Sequence, residues 1–101
     1  MDRVDSLLAT VKHEVAEYVC PSPNATAYFV ENADEQIFAV LSVPTKEPQK
    51  TSVMIMAQVV DNLVLIKSDK TNKPLYEALL QAGIPREHIV LVYEGEQAPT
   101  T

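Results

Sequence analysis

The strongest constraint in the chain is residues 74–93, PLYEALLQAGIPREHIVLVY, which spell out a helix, its stop signal, a tight turn and a buried strand in succession. Leu75, Ala78, Leu79 and Ala82 fall at i, i+3, i+4 and i+7 and form one apolar stripe, with Glu77 and Gln81 off it. That stripe needs a surface to pack on. Asn72 is a candidate cap, and Pro74 fits the first turn, where its missing N–H would have had no helical partner. Gly83 can take the left-handed conformation past the last turn, which lets Ile84 fold back toward Leu79, and Pro85 forbids continuation. After Arg86, Glu87 and His88, the run Ile89, Val90, Leu91, Val92, Tyr93 is apolar without alternation. That pattern suits a strand covered on both faces inside a sheet.

Upstream, Val4, Leu7, Leu8, Val11, Val15 and Tyr18 keep a helical stripe, with Asp5, Lys12, Glu14 and Glu17 off it. Pro21 and Pro23 end that helix. Residues 25–30 and 37–43 read as two strands joined by a polar loop of hairpin length over 31–36. Residues 44–50 carry two prolines and three charges and make a longer connection. The third strand, 52–60, holds Val53, Met54, Ile55, Met56 and Ala57 in a row, so both its faces are apolar. Asp61-Asn62 tolerates positive φ and joins it to Leu63, Val64, Leu65 and Ile66 as a two-residue hairpin. The expected fold is α+β: an N-terminal helix, a four-stranded antiparallel meander, a second helix and a final strand (α-β-β-β-β-α-β), with both helices on one face of the sheet. Residues 1–93 make one domain, and 94–101 are expected to be a mobile acidic tail.

Two helices cover one face only, so Met54 and Met56, or their alternates, are left on an apolar face without a helix, which usually marks an interface. A homodimer that buries this face, with Met54 and Met56 in it, is the structural expectation.

The chain has 101 residues, 47% of them hydrophobic and 22% charged, ordinary values for a globular domain. No apolar run is long enough to span a bilayer and no export signal is evident, so a cytoplasmic protein without membrane contact is expected. A single cysteine, Cys20, cannot make an internal disulfide, in keeping with a reducing compartment. The formal net charge of −6 works against gripping phosphate backbones, and no direct nucleic-acid binding is expected. Residues 46–73 run the other way, with five lysines against Glu47, Asp61 and Asp69, about +2 locally. Solvated lysines on loops and strand edges are the commoner explanation of such a stretch, and contact with an acidic partner the sharper one.

Reactive groups are sparse. His13 falls on the polar side of the first helix and His88 in the turn before the last strand; Cys20 has no adjacent base; no His, Cys or carboxylate cluster has metal-ligand spacing. Hence no catalytic residues, metal or cofactors are assigned. The one candidate for a ligand or partner is the loop before the second helix, where Lys67, Asp69, Lys70, Thr71 and Lys73 stand near free helix N–H groups. A small anion or nucleotide bound there, in a ligand-binding domain or minor enzyme, is the alternative function. The structural explanation is that Asp69, Thr71 and Asn72 organise the turn.

The C-terminal half resembles the XisI-like family, the fdxN element excision controlling factors of filamentous nitrogen-fixing bacteria. The resemblance runs through the Asp61-Asn62 turn, the strand 63–66, Asp69 with Thr71, the helix 75–80, and the close Gly83-Ile84-Pro85-Arg86-Glu87-His88-Ile89-Val90-Leu91, about forty residues in all. Departures fall at Pro44-Thr45, where the family tends to have Gly-Trp, at Leu65 for a Trp, and at Lys70 for a Gly; nothing basic follows Arg86. The resemblance implies a non-enzymatic role in controlling excision of a DNA element during cell differentiation, alongside a site-specific recombinase and a nuclease-like accessory protein. An acidic protein of that kind would act through partners that hold the DNA.

Overall fold

Alternating burial along β-strands at 25–30, 55–60 and 63–66, and helical-period burial along two helices, build one sheet with both helices on the same side. The computed structural model describes residues 3–46 and 50–97, with side chains from residue 6 onward. The side chains of Val4 and Asp5 and residues 98–101 of the expected tail therefore fall outside the described set. The order is α1 (Arg3–Ala16), β1 (Ala25–Asn32), β2 (Ile37–Pro44), β3 (Ser52–Val60), β4 (Leu63–Asp69), α2 (Leu75–Gln81) and β5 (Ile89–Leu91). Strands pair in sequence order, β1-β2-β3-β4-β5. The first three pairs are antiparallel and β4–β5 is parallel, so the sheet is mixed. The parallel pair follows from connectivity, because the chain crosses the sheet through α2 before it returns alongside β4.

Val11 and Val15 of α1 and Leu75 and Leu79 of α2 are fully buried against Phe38, Val40, Ile55, Ala57, Val59, Val64, Ile66, Ile89 and Leu91. These sheet residues define the helix side. Phe29 and Phe38 stack on it across β1 and β2 with ring centroids 6.4 Å apart. The α1 stripe behaves as expected, although the helix closes at Ala16, ahead of Pro21, through 3₁₀-type bonds from Tyr18 to Val15 and from Val19 to Ala16.

The end of α2 follows the sequence closely. Gly83 adopts φ +100, its N–H donates to the Leu80 carbonyl, and the Ile84 N–H donates to Leu79, both at 3.0 Å. This is the Schellman arrangement, and it brings Ile84 into the core. The start of α2 differs. Pro74 stands at the N-cap, and the Leu75 N–H is taken at 2.7 Å by the carboxylate of Asp69, six residues back, so Asp69 and not Asn72 caps the helix.

The last strand also departs from expectation. It is three residues long, gives way to a 3₁₀ turn over Val92–Glu94, and lies at an edge of the sheet although all three residues are buried. It pairs with β4 alone, and Ile89 and Leu91 join the core cluster that holds Leu75 and Leu79 of α2. A side-chain clasp secures the segment beyond β5. Glu96 accepts the Leu91 N–H at 2.9 Å and an Arg86 guanidinium N–H at 2.7 Å, while Arg86 also donates to the Ile89 carbonyl at 2.6 Å. Glu96, within the expected tail, is thus bonded to Leu91 of β5 and to Arg86.

Candidate functional site

Two surfaces remain once the core is accounted for. The first is an open groove of about 860 Å³ between the end of α1, the start of α2 and the loop joining β4 to α2. Asp69 organises that loop. Its Oδ1 accepts the Thr71 N–H at 3.0 Å and lies 2.6 Å from the Thr71 hydroxyl, while Oδ2 caps Leu75. The Lys70 N–H donates to the Met54 carbonyl at 2.8 Å, which lashes the loop to β3. From α1, the Tyr18 hydroxyl donates to the Lys73 carbonyl. Burial, with the Asp69 charge beside it, pushes the Tyr18 hydroxyl up to about 12.

The five loop residues are therefore not equivalent. Asp69 and Thr71 spend their polar atoms on the turn and the helix cap. Lys70 and Lys73 line the groove, whereas Lys67 does not. Lys67 is exposed and sits at an irregularity in β4, between the pairs Met56–Ser68 and Ala57–Ile66. Glu14, Glu17 and Glu77 line the same groove, so the lysines face carboxylates. With the Leu75 N–H already held by Asp69 and acidic groups around the rim, the groove is a poor match for an anion.

The second surface is the sheet face away from the helices. Residues alternate across a strand, so the neighbours of the core positions point outward. Tyr28 pairs with Leu41, Val30 with Ala39, Ala39 with Met56, Gln58 with Leu65, and Leu65 with Val90. None of these paired positions is charged. Tyr28 is 52% exposed and Val30 39%, although both belong to a regular eight-residue strand of the sheet. Both helices pack on the other side of the sheet, and on this face Ala39 and Val90 are buried while Tyr28 and Val30 at the β1 end are the exposed positions.

Met54 and Met56 do not share it. The β2–β3 register slips between Val40 and Leu41, which pair with Ile55 and Val53, leaving Met54 as an unpaired bulge residue. Met54 packs on the core cluster and lines the groove between the helices, while Met56, paired with Ala39, stays on the open face. The apolar run 53–57 carries no parity signal, so only the bulge reveals the split. Tyr28 and Val30 were missed as members of the face; the alternation of exposed and half-buried residues along β1 is the signal that marks them.

Elsewhere, reactive groups stay apart. His13 is exposed on α1 beside Glu17 at 3.2 Å, and His88 lies in a 3₁₀ turn at the other end of the chain. Cys20 is exposed. Among the described residues no three His, Cys, Asp or Glu side chains are placed to hold a metal ion, and no helix is long and apolar enough to cross a membrane.

A two-layer α+β protein with an uncovered apolar sheet face and a clasped C-terminal strand is the class these features define. The family model described as XisI protein matches residues 1–100, and the chain belongs to the XisI family. The match extends well beyond the forty residues that carry the sequence resemblance. A XisI-like protein from Anabaena variabilis ATCC 29413 has a crystal structure similar to this one, with TM-score 0.80 and 20% identity over 96% of this chain and 90% of that one. The fdxN element excision controlling factor XisI from the same organism superposes with TM-score 0.75 and 19% identity over 97% of this chain and 96% of that one. No curated protein matches the chain.

Proposed function

We propose that this chain is a non-enzymatic accessory factor that regulates excision of a DNA element and acts through protein partners, a nuclease-like accessory protein or a site-specific recombinase, in the cytoplasm. Membership of the XisI family and the name of the excision controlling factor it resembles support the regulatory role. The observation that carries the mechanism is an uncharged apolar sheet face on a chain of net charge −6. Such a surface does not attract phosphate, because nonspecific DNA affinity comes from cations that displace counterions. It offers instead what protein interfaces use at their centres, aromatic and aliphatic side chains without charge.

Met56 is the position to test. Met56→Lys places a charge in the middle of the face and is expected to abolish copurification with a co-expressed nuclease-like or recombinase partner while leaving the thermal midpoint in place. Failure of the unmodified chain to retain either partner at low salt would count against the reading. So would a gel shift of element DNA by this chain alone at physiological salt.

A further inference from the structure

We infer that the free edge of β1 is a self-pairing interface, through which two copies of this chain join their sheets antiparallel about a two-fold axis perpendicular to the sheet. β1 is one end of the five-stranded sheet and runs for eight residues, Ala25–Asn32, whereas the opposite edge strand, β5, has three. Proteins guard long edges with lysine, proline or bulges. β1 has none of these, and its pairing with β2 is unbroken from Ala25–Pro44 to Asn32–Ile37.

Hydrogen-bond direction says which groups are free. The Thr45 N–H donates to the Asn24 carbonyl at 3.0 Å, so Asn24 faces β2, and by alternation so do Thr26, Tyr28 and Val30. Ala25, Ala27, Phe29 and Glu31 then point their N–H and C=O groups outward. Pairing two such edges antiparallel requires outward residues to meet outward residues, which also keeps core-side chains opposite core-side chains. Two registers that meet this condition, centred on Tyr28 and on Phe29, each use seven of the eight residues, and the one centred on Tyr28 is distinguished by its side-chain pairs.

The chemistry of that register favours a second copy over an unrelated strand. Ala27 falls opposite Phe29 of the second copy and Thr26 opposite Val30, so each small residue meets a large one. Tyr28 meets its own counterpart in a non-hydrogen-bonded pair, where Cα atoms approach to about 4.5 Å. Glu31, the only charged residue in β1, lands opposite Ala25 and not opposite another Glu31, and it already has Lys12 at 3.1 Å. The two open faces become one continuous apolar surface, with both helical layers on the other side.

The test is cysteine crosslinking combined with mass in solution, in a Cys20→Ser background. Sedimentation should give a mass of two chains at micromolar concentration. Tyr28→Cys should crosslink under mild oxidation, and Val30→Cys, which would face Thr26 of the second copy, should not. Tyr28→Lys, at a position already exposed in the single chain, should shift the mass to one chain with an unchanged circular dichroism spectrum. Ala27→Pro, which removes only an outward N–H, should do the same. A one-chain mass for the unmodified protein at high micromolar concentration overturns the proposal. So does a dimer that survives both edge variants, or equal crosslinking at positions 28 and 30. The regulatory reading can fail independently, since none of these measurements involves a partner or DNA.

Discussion

Asp69 joins three parts of the chain through one carboxylate. It ends β4, fixes the turn at Thr71 and caps α2 at Leu75, with bonds of 2.6 to 3.0 Å. Because α2 has only seven residues and would be marginal alone, its first turn depends on that cap. Asp69→Ala should cost about 2 kcal/mol, read as a lower urea midpoint. Tyr18 binds the same loop from α1, and its hydroxyl, pushed up to about 12, carries a pH signature. A free tyrosine in the unfolded chain ionises near 10, before the folded one does. Above about pH 10 the unfolded state therefore holds fewer protons, and stability should decline as pH rises toward about 12. Tyr18→Phe should flatten that decline in alkaline melts, whereas an unchanged slope would place its cause elsewhere.

The elements are held at their ends. Gly83, at φ +100, closes α2, and space around it is open, so a side chain there meets backbone strain and not a clash. Gly83→Ala should lower stability by about 1 kcal/mol in chemical denaturation. At β5 the clasp substitutes for a long strand. The Leu91 N–H, with Arg86 beside it, holds the Glu96 carboxyl below its ordinary value. A depressed carboxylate contributes stability above the ordinary pKa and loses it as pH falls through the lower folded value. The protection factor of the Leu91 amide, the intrinsic exchange rate over the observed one at the same pH, should therefore fall in acid, and in Glu96→Gln at neutral pH.

At the scale of the whole molecule, a chain of net charge −6 carries a sheet face whose paired positions are uncharged and which ends at the eight-residue edge strand β1. That combination is the basis on which protein partners are proposed over DNA. The family resemblance visible in residues 61–91 was legible because helix stops and hairpin turns are local grammar, and the family match over residues 1–100 extends it. The face was legible only in outline. Met56 belongs to it and Met54 does not, because a bulge between Val53 and Ile55 turns one methionine toward the helices.

The sequence by itself determined the kinds and order of the elements, both helix stripes, the Gly83 stop and the Asp61 turn, which indeed takes φ +57. Each of these depends on residues within a few positions of one another. The Asp69 cap, the short edge position of β5, the Arg86–Glu96 clasp and the division of the two methionines needed the assembled chain. They depend on register between strands and on hydrogen bonds that skip past the nearest turn, and a run of apolar residues encodes neither.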